Sequence, residues 1–351
     1  MKKPVKKMLS FTLSLLLGAA LLGGVFYYVG WENIFEQIGS LHAVGIIAVA
    51  GNVFLTLITW VIGWWVILRA YGVVIPLHRV IGARLSGFAV SYLTPSLYFG
   101  GEPVRALIAA DSSSAPVTRI FATIVVERFL GGASLVFFIL IGGFFAVISP
   151  QVTHAEKEAV LIGVPFISVW MIVGLIDFAG NFKWISRIIR SLGQVFTRWR
   201  GGLERAANKV AETEDEVYNA FAQHWRATLL ALLIQLVSNF LAYMRPQVFF
   251  YFSSHTTFTF PQLSLLFTLN IIMSTVLWIT PGGLGTGEAA LIGIFALVGI
   301  AKDGAVAFSL SYKFFELLIV AIGLFYVFHK GIGRMWHRVK SRPQASDWPR
   351  S

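Results

Sequence analysis

The sequence predicts an all-α polytopic membrane protein with about six full spans and two broken, re-entrant helical hairpins in an inverted-repeat arrangement. Three observations carry that reading. Apolar residues make up 56% of the 351 residues and charged residues 13%, with a mean hydropathy of +0.74, outside the range of soluble domains. Six apolar runs are long enough to cross a bilayer, which takes ~20 residues. Finally, the pattern Thr-Pro, five residues, Gly-Glu occurs twice within apolar stretches, at Thr94-Pro95 to Gly101-Glu102 and at Thr280-Pro281 to Gly287-Glu288.

The runs are 9–30, 44–68, 120–148, 159–179, 227–250 and 305–328. The first follows Lys2, Lys3, Lys6 and Lys7 and is longer than the apolar core of a signal peptide, so a retained helix is expected. The regions 80–110 and 263–300 are apolar but interrupted by the repeated pattern. Around the first interruption the flanking pieces are too short for two crossings, which predicts a re-entrant hairpin. Around the second, a hairpin and two full spans both fit.

Charge sets the expected orientation. With the N-terminus in the cytoplasm, Arg69, Arg79, Arg84, Arg105, Arg119, the basic residues of 183–226 and the tail 330–351 fall inside. Glu32, Glu36, Glu156, Lys157, Glu158, Lys302 and Asp303 fall outside. Both termini are then cytoplasmic, as the positive-inside rule requires. The net charge of +11 therefore reflects loops between spans and not a nucleic-acid groove. One membrane domain, 1–351, is expected, carrying a cytoplasmic insert at 182–225.

In that insert Trp184, Ile185, Ile188, Ile189, Leu192, Val195, Phe196 and Trp199 recur at helical spacing among Arg187, Arg190, Arg198 and Arg200. This predicts a basic amphipathic helix on the anionic inner leaflet over 183–200. Gly201-Gly202 is expected to end it. The following helix, with its acidic run Glu212 to Glu216, is expected to face water, and Asp177 to be solvated at a span end.

The candidate site lies at the two interruptions. A broken helix and a carboxylate at membrane depth are tolerated where they line a cavity or are buried in protein, and matched breaks in two halves mark transporter-type sites. Thr94, Pro95, Gly100, Gly101 and Glu102 form the first, and Thr280, Pro281, Gly282, Gly283, Gly285 and Glu288 the second. Each presents amides at the start of a short helix, which suits an anion. The acid in the same turn suits instead a cationic head group, a coupling proton or a nearby Arg. Arg105 is placed to pair with Glu102 one turn away or to reach a phosphate. Adjacent Glu127 and Arg128 point to other helices. Arg245 needs a partner, either Glu288 or an anionic head group. Lys313 and Glu316 are spaced for a local ion pair or, facing the breaks, complete a polar cavity. The chain has no Cys and its His residues lack ligand spacing, so neither a metal nor a cofactor is expected.

Three motifs carry a resemblance: Pro95-x4-Gly-Gly-Glu-x2-Arg105, the Glu127-Arg128-x2-Gly131 step, and Pro281-Gly-Gly-Leu-Gly-x2-Glu288. Over residues 9–330 the chain resembles the flippase-like membrane domain of lysylphosphatidylglycerol synthases. It departs at Ser96-Leu97, where that family usually has Gly-Gly, and at Tyr312-Lys313. The resemblance implies translocation of a polar-headed lipid without its synthesis, because about 20 residues follow the last span. The lipid is anionic, lysyl, hopanoid or polyprenyl-phosphate in type, the setting a bacterial inner membrane, and the partners a second copy or a lipid-synthesis enzyme. An intramembrane lipid-modifying enzyme using Glu102 and Glu288, and a non-transporting assembly partner, are the competing readings.

Overall fold

The computed structural model describes residues 30–94, 100–150, 152–196, 200–277 and 280–330, together with 23–24 and 27–28. Nearly all of the first expected span, the tail after Lys330, Trp199 and Pro95 lie outside the described residues. Within them the structure is helical, without strands. Its elements are α1 Trp31–Gly39, α2 His42–Ala70, α3 Leu77–Leu93, α4 Glu102–Asp111, α5 Val117–Ile148, α6 His154–Gly180, α7 Trp184–Val195, α8 Arg200–Gln223, α9 Trp225–Tyr243, α10 Arg245–Ser254, α11 Phe260–Leu277, α12 Thr286–Ala296 and α13 Lys302–Lys330.

Among the described residues, four stretches are long and apolar enough to cross a membrane: His42–Ala70, Val117–Ile148, Trp225–Ser254 and Lys302–Phe328. At 1.5 Å per residue, 29 residues of α2 reach about 44 Å, against a hydrocarbon core of about 30 Å. Large apolar side chains such as Phe54, Phe144, Phe240 and Phe325 stand exposed along these helices. That is the surface of a protein solvated by lipid. α6, with 27 residues, carries a shorter apolar segment over Val160–Gly174. Met244 and Arg245-Pro246 mark the joint between α9 and α10, where Pro removes a helix donor.

The two interruptions build the same unit. α3, of 17 residues, is followed by a break and then the 10-residue α4; α11, of 18, is followed by a break and then the 11-residue α12. A helix of 10 or 11 residues spans only about 16 Å, half the hydrocarbon thickness. α4 and α12 are therefore each too short to cross on their own.

Packing between the halves is reciprocal. α3 of the first hairpin packs on α13, the helix after the second, and α11 of the second packs on α5, the helix after the first. α2 packs on α9 between them. Both reciprocal contacts close on glycine. A Cβ on Gly142 of α5 would overlap Thr268 Oγ1 and the Ser264 carbonyl of α11. One on Gly323 of α13 would overlap the Leu85 carbonyl of α3, and Ser86 Oγ donates to the Gly323 carbonyl at 3.3 Å.

The insert differs from its expectation. α7 does expose Ile185, Ile188, Leu192 and Val195, but Gly201-Gly202 lies in the first turn of α8 and does not break it. The acids are not simply solvated. Buried Glu214 accepts the Ile185 and Ser186 amides at 3.1 and 3.4 Å, and Asp177, 3% exposed, accepts the Trp184 amide at 2.9 Å. They satisfy the unpaired donors at the start of α7, where negative charge is favoured.

Gly142→Val is expected to destabilise the fold by about 1–3 kcal/mol or more, because backbone and not a flexible side chain must give way. Gly163→Ala, whose Cβ would meet nothing closer than 3.7 Å, is expected to be neutral or slightly stabilising. Thermal unfolding of both variants in detergent checks the contrast.

Candidate functional site

The first hairpin is organised by Glu127, one-third of the way along α5 and 2% exposed. Its Oε2 accepts Arg84 Nη1 from α3 at 3.0 Å and Arg105 Nη1 from α4 at 2.7 Å. Its Oε1 accepts Gln235 Nε2 from α9 at 3.2 Å. Trp64 of α2 lies under Arg105, with the guanidinium carbon 3.7 Å from the ring centre, and Trp60 lies under Arg84 at 5.2 Å. Thr123 Oγ1 fixes the Trp64 ring, accepting its Nε1 at 3.0 Å. One carboxylate thus ties α3, α4, α5 and α9 together.

Glu102 caps α4 from within. Its Oε2 accepts the Gly100 amide at 2.8 Å and its Oε1 accepts Arg128 Nη2 at 2.5 Å. Gly100 has φ +146°, backbone that favours glycine. The Gly101 amide donates to Ser91 Oγ at 3.0 Å, and a Cβ on Gly101 would overlap the Gly87 carbonyl. Thr94 Oγ1 donates back to the Val90 carbonyl at 2.7 Å, closing the end of α3.

The second hairpin repeats this construction. Gly282, Gly283 and Gly285 all have positive φ, and Pro281–Gly283 forms a single 3₁₀ turn. Thr280 Oγ1 donates to the Leu284 carbonyl at 2.8 Å. Glu288, fully buried, accepts the Gly285 amide at 2.8 Å through Oε2, and Ser309 Oγ at 3.2 Å and Lys313 Nζ at 2.6 Å through Oε1. Lys313 also donates to the Gly283 carbonyl at 3.0 Å. One turn further along α13, Glu316 Oε1 accepts Arg245 Nη1 at 3.2 Å, and Tyr312 lies under that guanidinium at 5.0 Å.

The hairpins meet where buried Tyr92, at the end of α3, packs on Gly282; a Cβ there would overlap the tyrosine ring. Beside this contact lies a cavity of about 90 Å³. Asn270, Ser274, Thr286, Ser309, Lys313 and Glu316 are among its lining residues, all from α11, α12 and α13. It is far smaller than the ~300 Å³ of a small-molecule site.

A model of the lysylphosphatidylglycerol synthase TM region matches residues 11–323. The chain belongs to that family. Among curated proteins, this family member is 22% identical over 327 residues to a UPF0104 membrane protein of Methanothermobacter thermautotrophicus, covering 88% of this chain and 92% of that one. It is 22% identical over 329 residues to a UPF0104 membrane protein of Methanocaldococcus jannaschii, covering 90% and 93%. A third, from Pyrococcus horikoshii, is 22% identical over 263 residues, covering 72% and 77%.

Several pairings in this synthase-type membrane region differ from the sequence expectation. Arg105 does not pair with Glu102 on its own helix; it reaches Glu127, and Glu102 takes Arg128. Arg245 takes Glu316 and not Glu288. Lys313 and Glu316 share no local pair, because Lys313 faces Glu288. Tertiary partners win over one-turn neighbours because buried charge needs close, geometrically fixed compensation. Arg84, expected as a cytoplasmic loop charge, is 8% exposed. Ser309, Gln235 and Trp64 were missed outright. One signal would have found part of this set. The offset that carries Thr94 to Thr280 and Glu102 to Glu288 also carries Thr123 to Ser309, Glu127 to Lys313 and Arg84 to the cavity residue Asn270.

Removing one side of the Glu288–Lys313 pair is expected to cost about 3–5 kcal/mol, whereas replacing both together recovers most of it. Lys313→Met, Glu288→Leu and the double variant, compared by thermal unfolding in detergent, measure the coupling.

Proposed function

We propose that the protein moves a polar-headed membrane lipid between leaflets. The head group passes the two hairpins while the acyl chains stay in the bilayer. The observation that carries this reading is the repeated construction at membrane depth: two short helices, each starting at a break, each latched by its own acid to the next spanning helix. A scaffold needs neither the break nor the acid, since an unbroken apolar helix is cheaper in lipid.

In this reading the ion pairs are the closure. Glu102–Arg128 and Glu127 with its arginines seal the first hairpin, expected to open to the cytoplasm with both termini on that side. Glu288–Lys313 and Arg245–Glu316 seal the second. Opposite insertion in one chain is the arrangement from which alternating access is built. The protein acts as a translocator and not an enzyme, in a cell membrane.

Purified protein in proteoliposomes is expected to speed the exchange of fluorescent head-labelled phospholipid between leaflets, read by dithionite quenching. Glu288→Gln is expected to slow that exchange about tenfold or more while Glu212→Gln, in the insert, leaves it unchanged. Protein-independent rates for every lipid charge type would refute the proposal.

A further inference from the structure

We propose that α7 is docked in the head-group layer of an anionic leaflet, with Ile185, Ile188, Leu192 and Val195 in the acyl boundary and basic side chains among the lipid phosphates.

The chain enters that layer at the end of α6. The apolar segment of α6 ends at Gly174 and the helix itself at Gly180, about 9 Å further on at 1.5 Å per residue. α7 therefore starts close to the head groups, which thicken a bilayer from ~30 Å of hydrocarbon to ~40–45 Å. Asn181 and Lys183 take φ +50° and +56°, so the chain turns and does not continue the α6 axis. Asp177, in α6, accepts the Trp184 amide at 2.9 Å and so holds the start of α7 against that helix. Phe182 and Trp184 stack with ring centres 5.4 Å apart, both exposed, as aromatic anchors do at a membrane interface.

Three sides of α7 have different surroundings. Ser186 and Gly193 are buried, and a Cβ on Gly193 would rest against Leu203 of α8. Arg187, Arg190 and Gln194 are exposed on a polar side. At 3.6 residues per turn, Ile185, Ile188, Leu192 and Val195 fall within an arc of about 80°. That stripe is uncovered, with Ile188 60% and Val195 74% exposed. A helix with one apolar stripe and a basic polar side is at home in the plane of a lipid interface.

α7 is also fixed to the membrane domain and is not a tethered arm. Buried Glu214 of α8 accepts the Ile185 and Ser186 amides, and Lys183 pairs with Asp215 at 2.7 Å. α8 in turn packs on α5 and α6, and its Val217 is buried in the apolar core that holds Trp64, Ile120 and Ile124. The stripe thus keeps a set position relative to the spanning helices.

Charge selects the kind of leaflet. From Lys183 to Arg205 the chain has six basic residues and one acid, Glu204. The neighbouring acids Asp177, Glu214 and Asp215 are engaged by α7 and Lys183. A second copy docking here would bring like charge to like, whereas anionic head groups complement the surface. Each basic residue near such a surface favours contact about fivefold.

The test uses the full chain, which has no cysteine of its own, in nanodiscs of phosphatidylcholine with and without phosphatidylglycerol. Nitroxides are placed by Ile188→Cys, Val195→Cys and Gln194→Cys, and their depth is read from collisions with oxygen and with a water-soluble nickel chelate. In the anionic discs the labels at 188 and 195 are expected about 5–10 Å below the phosphates, and the label at 194 in water. Neutral discs are expected to hold the two labels less deeply, and Arg187→Gln with Arg190→Gln to abolish the difference between disc types. Nickel-dominated collisions at 188 and 195 in anionic discs, with the melting temperature retained, overturn the proposal. Equal depth in both disc types overturns the choice of an anionic leaflet. Spin–spin broadening at 188 that grows with protein concentration assigns the stripe to a second copy. Exposure to nickel in discs but shielding in native membranes assigns it to a partner protein, and either result overturns docking on lipid.

Discussion

Charge buried at membrane depth has to be compensated within the protein, and that constraint organises this structure. Glu127 and Glu288 each gather three donors, and each donor set reaches beyond the helix carrying the acid. In the first hairpin the acid sits on the spanning helix and the hairpin supplies arginine. In the second the acid sits on the hairpin and the spanning helix supplies lysine. Glu127 and Lys313 thus hold matched positions with opposite charge, while the Glu102–Arg128 pair keeps the acid on the hairpin as Glu288–Lys313 does. A short helix that cannot cross the bilayer is thereby fixed to one that can.

Reciprocal packing follows from the same design. Each hairpin's longer helix rests on the spanning helix of the other half, closing on Gly142 in one case and Gly323 in the other. Tyr92 against Gly282 joins the breaks themselves. Movement of one hairpin is consequently felt by the other half at both contacts, the coupling an alternating-access cycle requires.

Much of the fold was legible in the sequence, because apolar run length and Pro-Gly interruption are local signals. The runs at 44–68, 120–148 and 305–328 become α2, α5 and α13, and both interruptions become breaks between a longer and a shorter helix. Pairing was not legible at the same level. Spacing of three or four residues makes Glu102–Arg105 and Lys313–Glu316 natural local pairs, yet both are replaced by partners on other helices. Arg84 looked like a loop charge because it lies between apolar runs; only the packing of α3 on α13 and α4, with the ion pair to Glu127, buries it. Asp177 and Glu214 looked solvated for a similar reason, since helix capping across the α6–α7–α8 corner depends on tertiary approach.

The claim on which all of this rests is that equivalent breaks enter the bilayer from opposite faces. The chain has no cysteine, so single cysteines report cleanly. Ser114→Cys lies between α4 and α5, and Ala301→Cys between α12 and α13. A membrane-impermeant maleimide applied to sealed vesicles of one orientation should label these two positions from opposite sides. Labelling of both from the same side would contradict the inverted arrangement and, with it, the account of the latches as two gates.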